Sequence, residues 1–551
     1  MTTFVPKKVT ENCRRAAKFF GFEPQTLRFK SLARKNRVKV LNPQGVVLVE
    51  SRYWPDQYLA LIAFLPSALK FYNSSPITYE MLPQWSRFSL KKKIKHKFSV
   101  MNAIARSKFL LVRAHPQPRS HHLEFIQSIT DGKFSKRDFE SLSYRGVLIG
   151  DLIYDHYLRK TGKLTLDFDD PSLAFHTSEF LQYCDYFLAY FMENEVKAVI
   201  CSHPVYYFGI PARVAVSKGV DAYLVDIRRA TKIKTTNPFP YTSEWKSLRS
   251  DFDCLSEGTK KRALEVGESR LKNRISGDKG DLGGEWRTKF SHPWTLNLDE
   301  LQGRNSVLIA LHDFIDSCHR YGPGFYPDFY EWLLDVAEMS KNSNLIWLVK
   351  PHPWALRDAS KELMKIAGKF PHLKIIPPET DNQELVRRGL KYCLTVHGHI
   401  SHELPYLDVI VINASMQNPH DNFEFSITPS SLSEYRENIN NLESIVFEPD
   451  KESLFEFYFM SYVFNLLSWC ITNYPSFLKD MGARRELKSE TVFGWYLSQK
   501  NKINLNCLKL AVLNFLDSDA IILGRVHFSS FKCNDLLGCE CSELGNVVLN
   551  L

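Results

Sequence analysis

Five short stretches of the chain combine residue types that handle phosphates, sugar hydroxyls or protons. Lys350-Pro351-His352-Pro353 directly follows the apolar run 345–349. Its two prolines restrict the backbone and so aim a cation and an imidazole. Such a pair binds a phosphate or stabilises one that is leaving. Thr395-Val396-His397-Gly398-His399-Ile400-Ser401-His402-Glu403 reads as a strand end, a glycine turn and a helix starting near Ser401. Free N–H groups and the helix dipole at such a start hold an anion without a metal. Glu403 then either caps those amides or accepts ribose hydroxyls. The competing reading is a capped core helix, since Ser401 and Glu403 suit any helix N-terminus. His312-Asp313-Phe314-Ile315-Asp316 follows another apolar run, and His312 is a third candidate phosphate donor. In the first half, Asp151 ends the run Gly146-Val147-Leu148-Ile149-Gly150-Asp151 and is the candidate general base. His203, in Cys201-Ser202-His203-Pro204, is the second candidate for that role. No metal is expected: a tight turn scatters the histidines at 397, 399 and 402, and Cys533, Cys539 and Cys541 with His527 match no standard zinc spacing.

These residues need elements that bring them together. Short β-branched runs alternate with helical patterns, which implies parallel α/β architecture. The pattern predicts strands over 46–50, 108–112, 198–202 and 222–226. Helices are predicted over 56–72, 172–194 and 210–217. A glycine-rich, charged stretch over 274–304 has no periodicity and reads as a linker. A second series follows, with strands over 306–311, 345–349, 373–376, 392–396 and 409–412. Helices fall over 325–340, 360–369 and 382–388, and another opens over 401–406. Beyond residue 430 the pattern is mostly helical. The expected organisation is a basic arm (1–44), a Rossmann-like domain (45–273), the linker, a second Rossmann-like domain (305–430) and a helical extension (431–551). In such sheets ligands sit at the carboxyl ends of the strands, which is where 312, 352 and 398 fall.

With 44% apolar and 13% aromatic residues in 551, the chain is not a mainly disordered one. No uninterrupted apolar window spans a bilayer, and Arg14, Arg15 and Lys18 break any signal-peptide core. Eleven scattered cysteines fit reduced thiols and a cytoplasmic location. The first hundred residues hold 19 Lys/Arg against 5 Asp/Glu, a surplus of 14 that leaves −4 for the rest of a +10 chain. That charge peaks at Lys91, Lys92, Lys93, Lys95 and Lys97, beside Trp85, Phe88, Leu90 and Ile94. Basic residues interleaved with apolar ones suit a peripheral membrane or acceptor contact. A solvated loop is the plain alternative. Nucleic acid is not an expected partner, because no recognition motif accompanies the charge.

The segments LIALHDFIDS (308–317), FYPDFYEWL (325–333), LVKPHP (348–353), VHGHISHELPYLDVIVIN (396–413) and YRGVLIGDLIYDHYLR (144–159) resemble bacterial capsule and surface-polysaccharide glycosyltransferases of the GT-B type, the Kdo-transferase and polysialyltransferase-like group with an HP motif. The resemblance covers roughly 140–415. It implies two Rossmann-like domains facing across a cleft, with a nucleotide-sugar co-substrate and no other cofactor. It places His352 at the donor phosphate, Ser401 and the adjoining amides around it, Glu403 at the ribose and Glu379 near the base. Gly398-His399 departs from the small Gly-Thr or Gly-Ser usual after that strand. The expected acceptor is a polysaccharide or its lipid-linked primer, bound by the first half. Two alternatives stand beside this reading: a non-hydrolysing nucleotide-sugar epimerase, and a non-catalytic scaffold of polysaccharide export.

Overall fold

The strand β1 (Gly45–Glu50) is a continuous apolar run ending in a carboxylate, the signature of a strand covered on both faces. Around it lie β2 (Ser74–Leu82), β3 (Lys108–Arg113), the small hairpin β4–β5 (Ser143–Tyr144 and Val147–Leu148), β6 (Val196–Cys201), β7 (Asp221–Val225) and β8 (Ala230–Ile233). The second series is β9 (Ser306–Ala310), β10 (Ile346–Lys350), β11 (Leu373–Ile375), β12 (Leu390–Thr395) and β13 (Ile410–Asn413), and β14 (Ile522–Leu523) closes the chain's last described segment. This computed structural model describes residues 22–524 except 83–88, 116, 133, 277–300, 302–303, 354, 356–357, 466–467, 472–476, 478–487 and 500–503. Most of the expected linker and the Cys533–His527 group lie outside the described residues.

The first sheet runs β14-β8-β7-β6-β1-β2-β3, and the second runs β11-β10-β9-β12-β13. All pairs are parallel except β7–β8 and β8–β14. The protein is therefore built on two Rossmann-like sheets, each with its first strand in the middle and the chain reversing direction beside it. The switch points lie between β1 and β6 and between β9 and β12. In the second sheet Ala310 pairs with Lys350 and Ile309 with Leu394, so the loops after all three strands open on one edge.

Helices cover both faces of each sheet. The helix Gln57–Phe71 is apolar nearly all round and buried, as befits one packed between a sheet and a further layer. The helix Pro171–Glu193 opens with proline in its first turn and an Asp170 cap on Ser172 N–H. No helix among the described residues is long and apolar enough to cross a membrane.

Two expected boundaries are corrected. Residues 22–44 are not a free arm: the helix Pro24–Lys35 stacks Phe29 on Phe493 with centroids 4.2 Å apart, and Glu490 accepts from the Gln25 and Thr26 amides. The C-terminal region is not a separate extension either. The helix Lys451–Phe459 packs beside Glu257–Ile275 and the second half, whereas Ser489–Ser498 and Leu505–Asp517 return to the first-sheet core and β14 extends that sheet. The physical reason is burial: these helices are apolar on one side, and the first sheet has an open face to cover.

Candidate active site

The second switch point is densely packed. His312 stacks on Phe329 with centroids 4.5 Å apart, and its Nε2 accepts the His397 N–H at 3.2 Å. Burial, reinforced by His397, holds its pKa well below the usual imidazole value, so the ring is a neutral acceptor rather than a phosphate donor. His397 lies 4.5 Å from His312, and its pKa is pushed down to about 3 by burial and then by Arg320. A Cβ on Gly398 would stand 2.9 Å from Thr395 Oγ1, which explains glycine at this turn.

The helix expected from Ser401 is two four-residue 3-10 turns, His399–His402 and Leu404–Leu407. Pro405 cannot supply an N–H to continue the first turn, so little dipole accumulates. Ser401 is buried and donates its hydroxyl to the Gly398 carbonyl at 2.6 Å, so it braces the turn instead of facing a ligand. Lys350 is corrected likewise. Its Nζ donates to the Thr380 carbonyl at 2.6 Å and to Asn382 Oδ1 at 2.7 Å, and burial lowers its pKa to about 8. It ties β10 to the loop after β11. Glu403 accepts from Arg274 Nε at 2.5 Å, an ion pair with the helix Glu257–Ile275 rather than an open ribose acceptor. Glu379 is exposed on the same loop as Thr380. His399 is exposed and His352 half-buried, the latter with a pKa lowered by burial against the pull of Asp316. The recess beside His312 and His352 is small, about 30 Å³, room for a water or two.

The first switch point is open. A cleft of about 880 Å³, within the ~300–1,000 Å³ usual for small-molecule sites, lies at the ends of β1 and β6. Glu50 closes β1 there, with its Oε2 accepting the Ser202 N–H at 2.8 Å and facing the Ser202 hydroxyl at 2.9 Å. Burial raises its pKa to about 7, only partly offset by those hydrogen bonds. A carboxyl poised near neutrality at the wall of a cleft is the condition for proton transfer. His203 stands at the same rim, its Nδ1 3.2 Å from the Tyr241 hydroxyl.

Asp151 is not available as a base. It is buried at the start of the helix Gly150–Thr161, its Oδ2 accepts Arg213 Nη2 at 2.6 Å, and it does not line the cleft. The five-lysine patch divides by face of the helix Ser89–Lys97: Lys92 and the exposed Lys95, three apart, line the cleft, while the exposed Lys93 and Lys97 do not. Lys92 is paired with Glu80. Trp85, Phe88 and the Lys91 side chain lie outside what is described.

A buried seam joins the two halves. His319 Nδ1 donates to Asp155 Oδ1 at 2.7 Å and Nε2 to Glu140 Oε2 at 3.1 Å. Burial lowers its pKa, but Cys318 and Asp155 overcome this and hold it well above the ordinary value, so the ring is an imidazolium. Beside it the Tyr154 hydroxyl donates to Asp328 Oδ2 at 2.5 Å. Among the described residues, three groups have the composition of metal ligands: His121–His122–Asp185, Asp155–Cys318–His319 and His156–His176–Glu179. None lines the cleft. Arg145 lies 3.2 Å from the first group's carboxylate, and the second group is the hydrogen-bonded seam itself.

No family model matches the sequence, and no curated protein matches it. Among solved structures, UDP-GlcNAc 2-epimerase from Neisseria meningitidis bound to UDP-GlcNAc is 11% identical with a TM-score of 0.23, covering 83% of this chain and 99% of that one. Acinetobacter baumannii MurG is 8% identical with a TM-score of 0.21, covering 76% and 95%. TcCGT1 in complex with UDP is 12% identical with a TM-score of 0.22, covering 83% and 99%. The fold assignment rests on the two strand orders.

Proposed function

We propose that the protein is a metal-independent glycosyltransferase moving a sugar from a nucleotide-sugar donor to a growing glycan, a capsular or surface polysaccharide being the class the sequence resemblance implies. The observation that supports it best is the pair of sheets of like strand order, with a switch point that opens into a cleft having Glu50 at its wall. The donor phosphate is assigned to the rim of the second half, at the exposed His399 and half-buried His352, outside the packed imidazoles of His312 and His397. The acceptor is assigned to the first-half cleft. An acceptor oxygen attacks the anomeric carbon, the bond from that carbon to the phosphate oxygen breaks, and the nucleotide leaves with the bonding electrons. The acceptor proton passes to Glu50, which replaces Asp151 as the base; His203 is the second candidate. A carboxyl titrating near 7 suits both accepting that proton and releasing it.

Calorimetry against CMP-, UDP- and GDP-sugars, coupled to an assay of nucleotide release, tests this reading. One donor class should bind, with affinity falling at least tenfold in His352→Ala and His399→Ala, and nucleotide release should require an acceptor. Binding of none of them would favour the scaffold reading. An epimerised sugar formed without acceptor would replace the transferase by the epimerase.

A further inference from the structure

The first-half cleft carries more positive than negative charge, and its cations come from four separate parts of the chain. Arg52 follows β1, Lys92 and Lys95 lie on the helix Ser89–Lys97, Arg228 and Arg229 sit between β7 and β8, and Arg320 reaches in from the second half. Glu50, Glu80 and Asp226 are the acids lining the same space, so cations outnumber carboxylates six to three even with all three ionised. Some of this charge is internally balanced: Lys92 and Arg52 both pair with Glu80, Arg52 Nη2 at 3.5 Å, and Arg228 Nε lies 3.6 Å from Asp226. Two arginines also lie over rings. The Arg52 guanidinium is 5.1 Å from the Phe208 centroid, and that of Arg320 is 4.2 Å from the Tyr241 centroid. A guanidinium over an aromatic ring still has N–H groups along its edge, and such an edge suits carboxylate, sulfate or phosphate. Trp54 lines the same cleft and is 56% exposed, an apolar platform of the kind on which a sugar ring's C–H face stacks.

We propose that this cleft binds an acidic glycan, with its anionic groups on the arginine and lysine side chains and a sugar ring on Trp54. The inference rests on the transferase reading above and adds the acceptor's chemical class. It also gives the basic N-terminal segment a different role from membrane contact, because Lys92 and Lys95 face the cleft. A lipid surface would meet the outward pair, Lys93 and Lys97. Long-range attraction into a concave cationic site also predicts strong salt dependence.

The test uses the full chain and named probes: oligogalacturonate (carboxylate only), a heparin oligosaccharide (sulfate and carboxylate) and neutral maltohexaose. Vesicles of phosphatidylglycerol are the lipid arm. The acidic oligosaccharides should bind, maltohexaose should bind at least tenfold more weakly, and raising salt from 50 to 500 mM should remove most of the difference. The double variant Lys95→Ala/Arg228→Ala should lower acidic-glycan affinity at least tenfold, and Trp54→Ala should weaken it severalfold. Lys93→Ser/Lys97→Ser should leave it within twofold. Nucleotide-sugar affinity, measured on the same variants, should not move. Equal affinity for maltohexaose overturns the proposal, as does loss of glycan affinity in the outward pair alone. Vesicle binding carried by Lys92 and Lys95, with no glycan binding, assigns these lysines to a membrane and overturns it too. If Lys95→Ala/Arg228→Ala abolishes nucleotide-sugar binding, the cleft is the donor site, and the placement of donor and acceptor fails with it. Circular dichroism and thermal melts on each variant separate these outcomes from misfolding, and the exposed Lys95 and Trp54 are the least disruptive positions.

Discussion

At the switch point of the first sheet, Glu50, Arg52 and His203 line an open volume of about 880 Å³. At the switch point of the second, His312 and His397 are packed together, Ser401 is turned onto the Gly398 carbonyl, and the adjoining recess is only about 30 Å³. The strand order around the two is the same. Topology therefore fixes where a site can form, and the side chains leaving the strand ends decide whether the space is open or filled. In the first half, bulky charged residues flank a gap. In the second, imidazoles made neutral by burial behave as small aromatic core residues, and Lys350 and Ser401 serve the loops that carry them.

Exchange of the base should give the largest effect. Glu50→Gln preserves an acceptor for the Ser202 amide but cannot take a proton, so turnover should fall about 100- to 10,000-fold with donor affinity unchanged. In the parent protein kcat/KM should rise with pH through about 7. The sign for stability is opposite. A carboxyl raised from 4.5 to about 7 binds its proton more tightly in the folded state, so its contribution is lost as pH rises through that window. Glu50→Gln should therefore be more stable than the parent at pH 8, by up to about 3 kcal/mol, and no more stable at pH 4.5. Equal turnover in the variant would remove Glu50 from the chemistry.

The second half should break first in acid. His312, His397, His402 and His420 all have pKa values depressed by burial, against His96, His122 and His156 in the first half, so more of the protons that only the unfolded chain binds belong to the second half. Their contribution is full above pH 6.5 and is lost as pH falls, by about 1.4 kcal/mol for each histidine per pH unit. Hydrogen exchange at pH 5.5 should show β9, β10 and β12 losing protection before β1, β2 and β6. The reverse order would contradict the contrast between the two regions.

Next in size is the seam. His319→Ala leaves Glu140 and Asp155 buried without their shared cation, and loss of one partner from a buried charge cluster costs about 3–5 kcal/mol. Denaturant unfolding should then show the halves separating into two transitions. The smallest effect is expected for Lys350→Met, which frees the Thr380 carbonyl and Asn382. Stability should fall by about 1–3 kcal/mol, with donor affinity changed less than in His352→Ala. A larger affinity loss at Lys350 would return it to the phosphate.

The strand–helix alternation and the placement of 312, 352 and 398 on one sheet edge were legible because buried parallel strands announce themselves as apolar runs. The short strand β8, the edge strand β14 and the partly exposed β2 carry weaker patterns and lie outside the predicted strands. Glu50 was open to the same rule that picked out Lys350 and His352, since it ends the run Val46–Val49 in the register of β1. A lone glutamate at a strand end carries no motif, however, whereas Asp151 beside a glycine at the end of an apolar run carries the stronger local signal. Its partner Arg213 lies 62 residues away, beyond any local signal.

The sequence by itself determined two α/β series, the strand ends that bear polar residues, and the excess of cations in the first hundred residues, because each depends on neighbours along the chain. Only the tertiary structure decided which of those polar groups face a ligand. Lys350, Ser401, Glu403 and Asp151 each meet a partner at hydrogen-bond distance. For three of them that partner comes from a different element, and the cost of burying a charge without such a partner is what fixes their orientation. The same packing turned Lys92 and Lys95 toward the cleft and brought the last described helices back onto the first sheet.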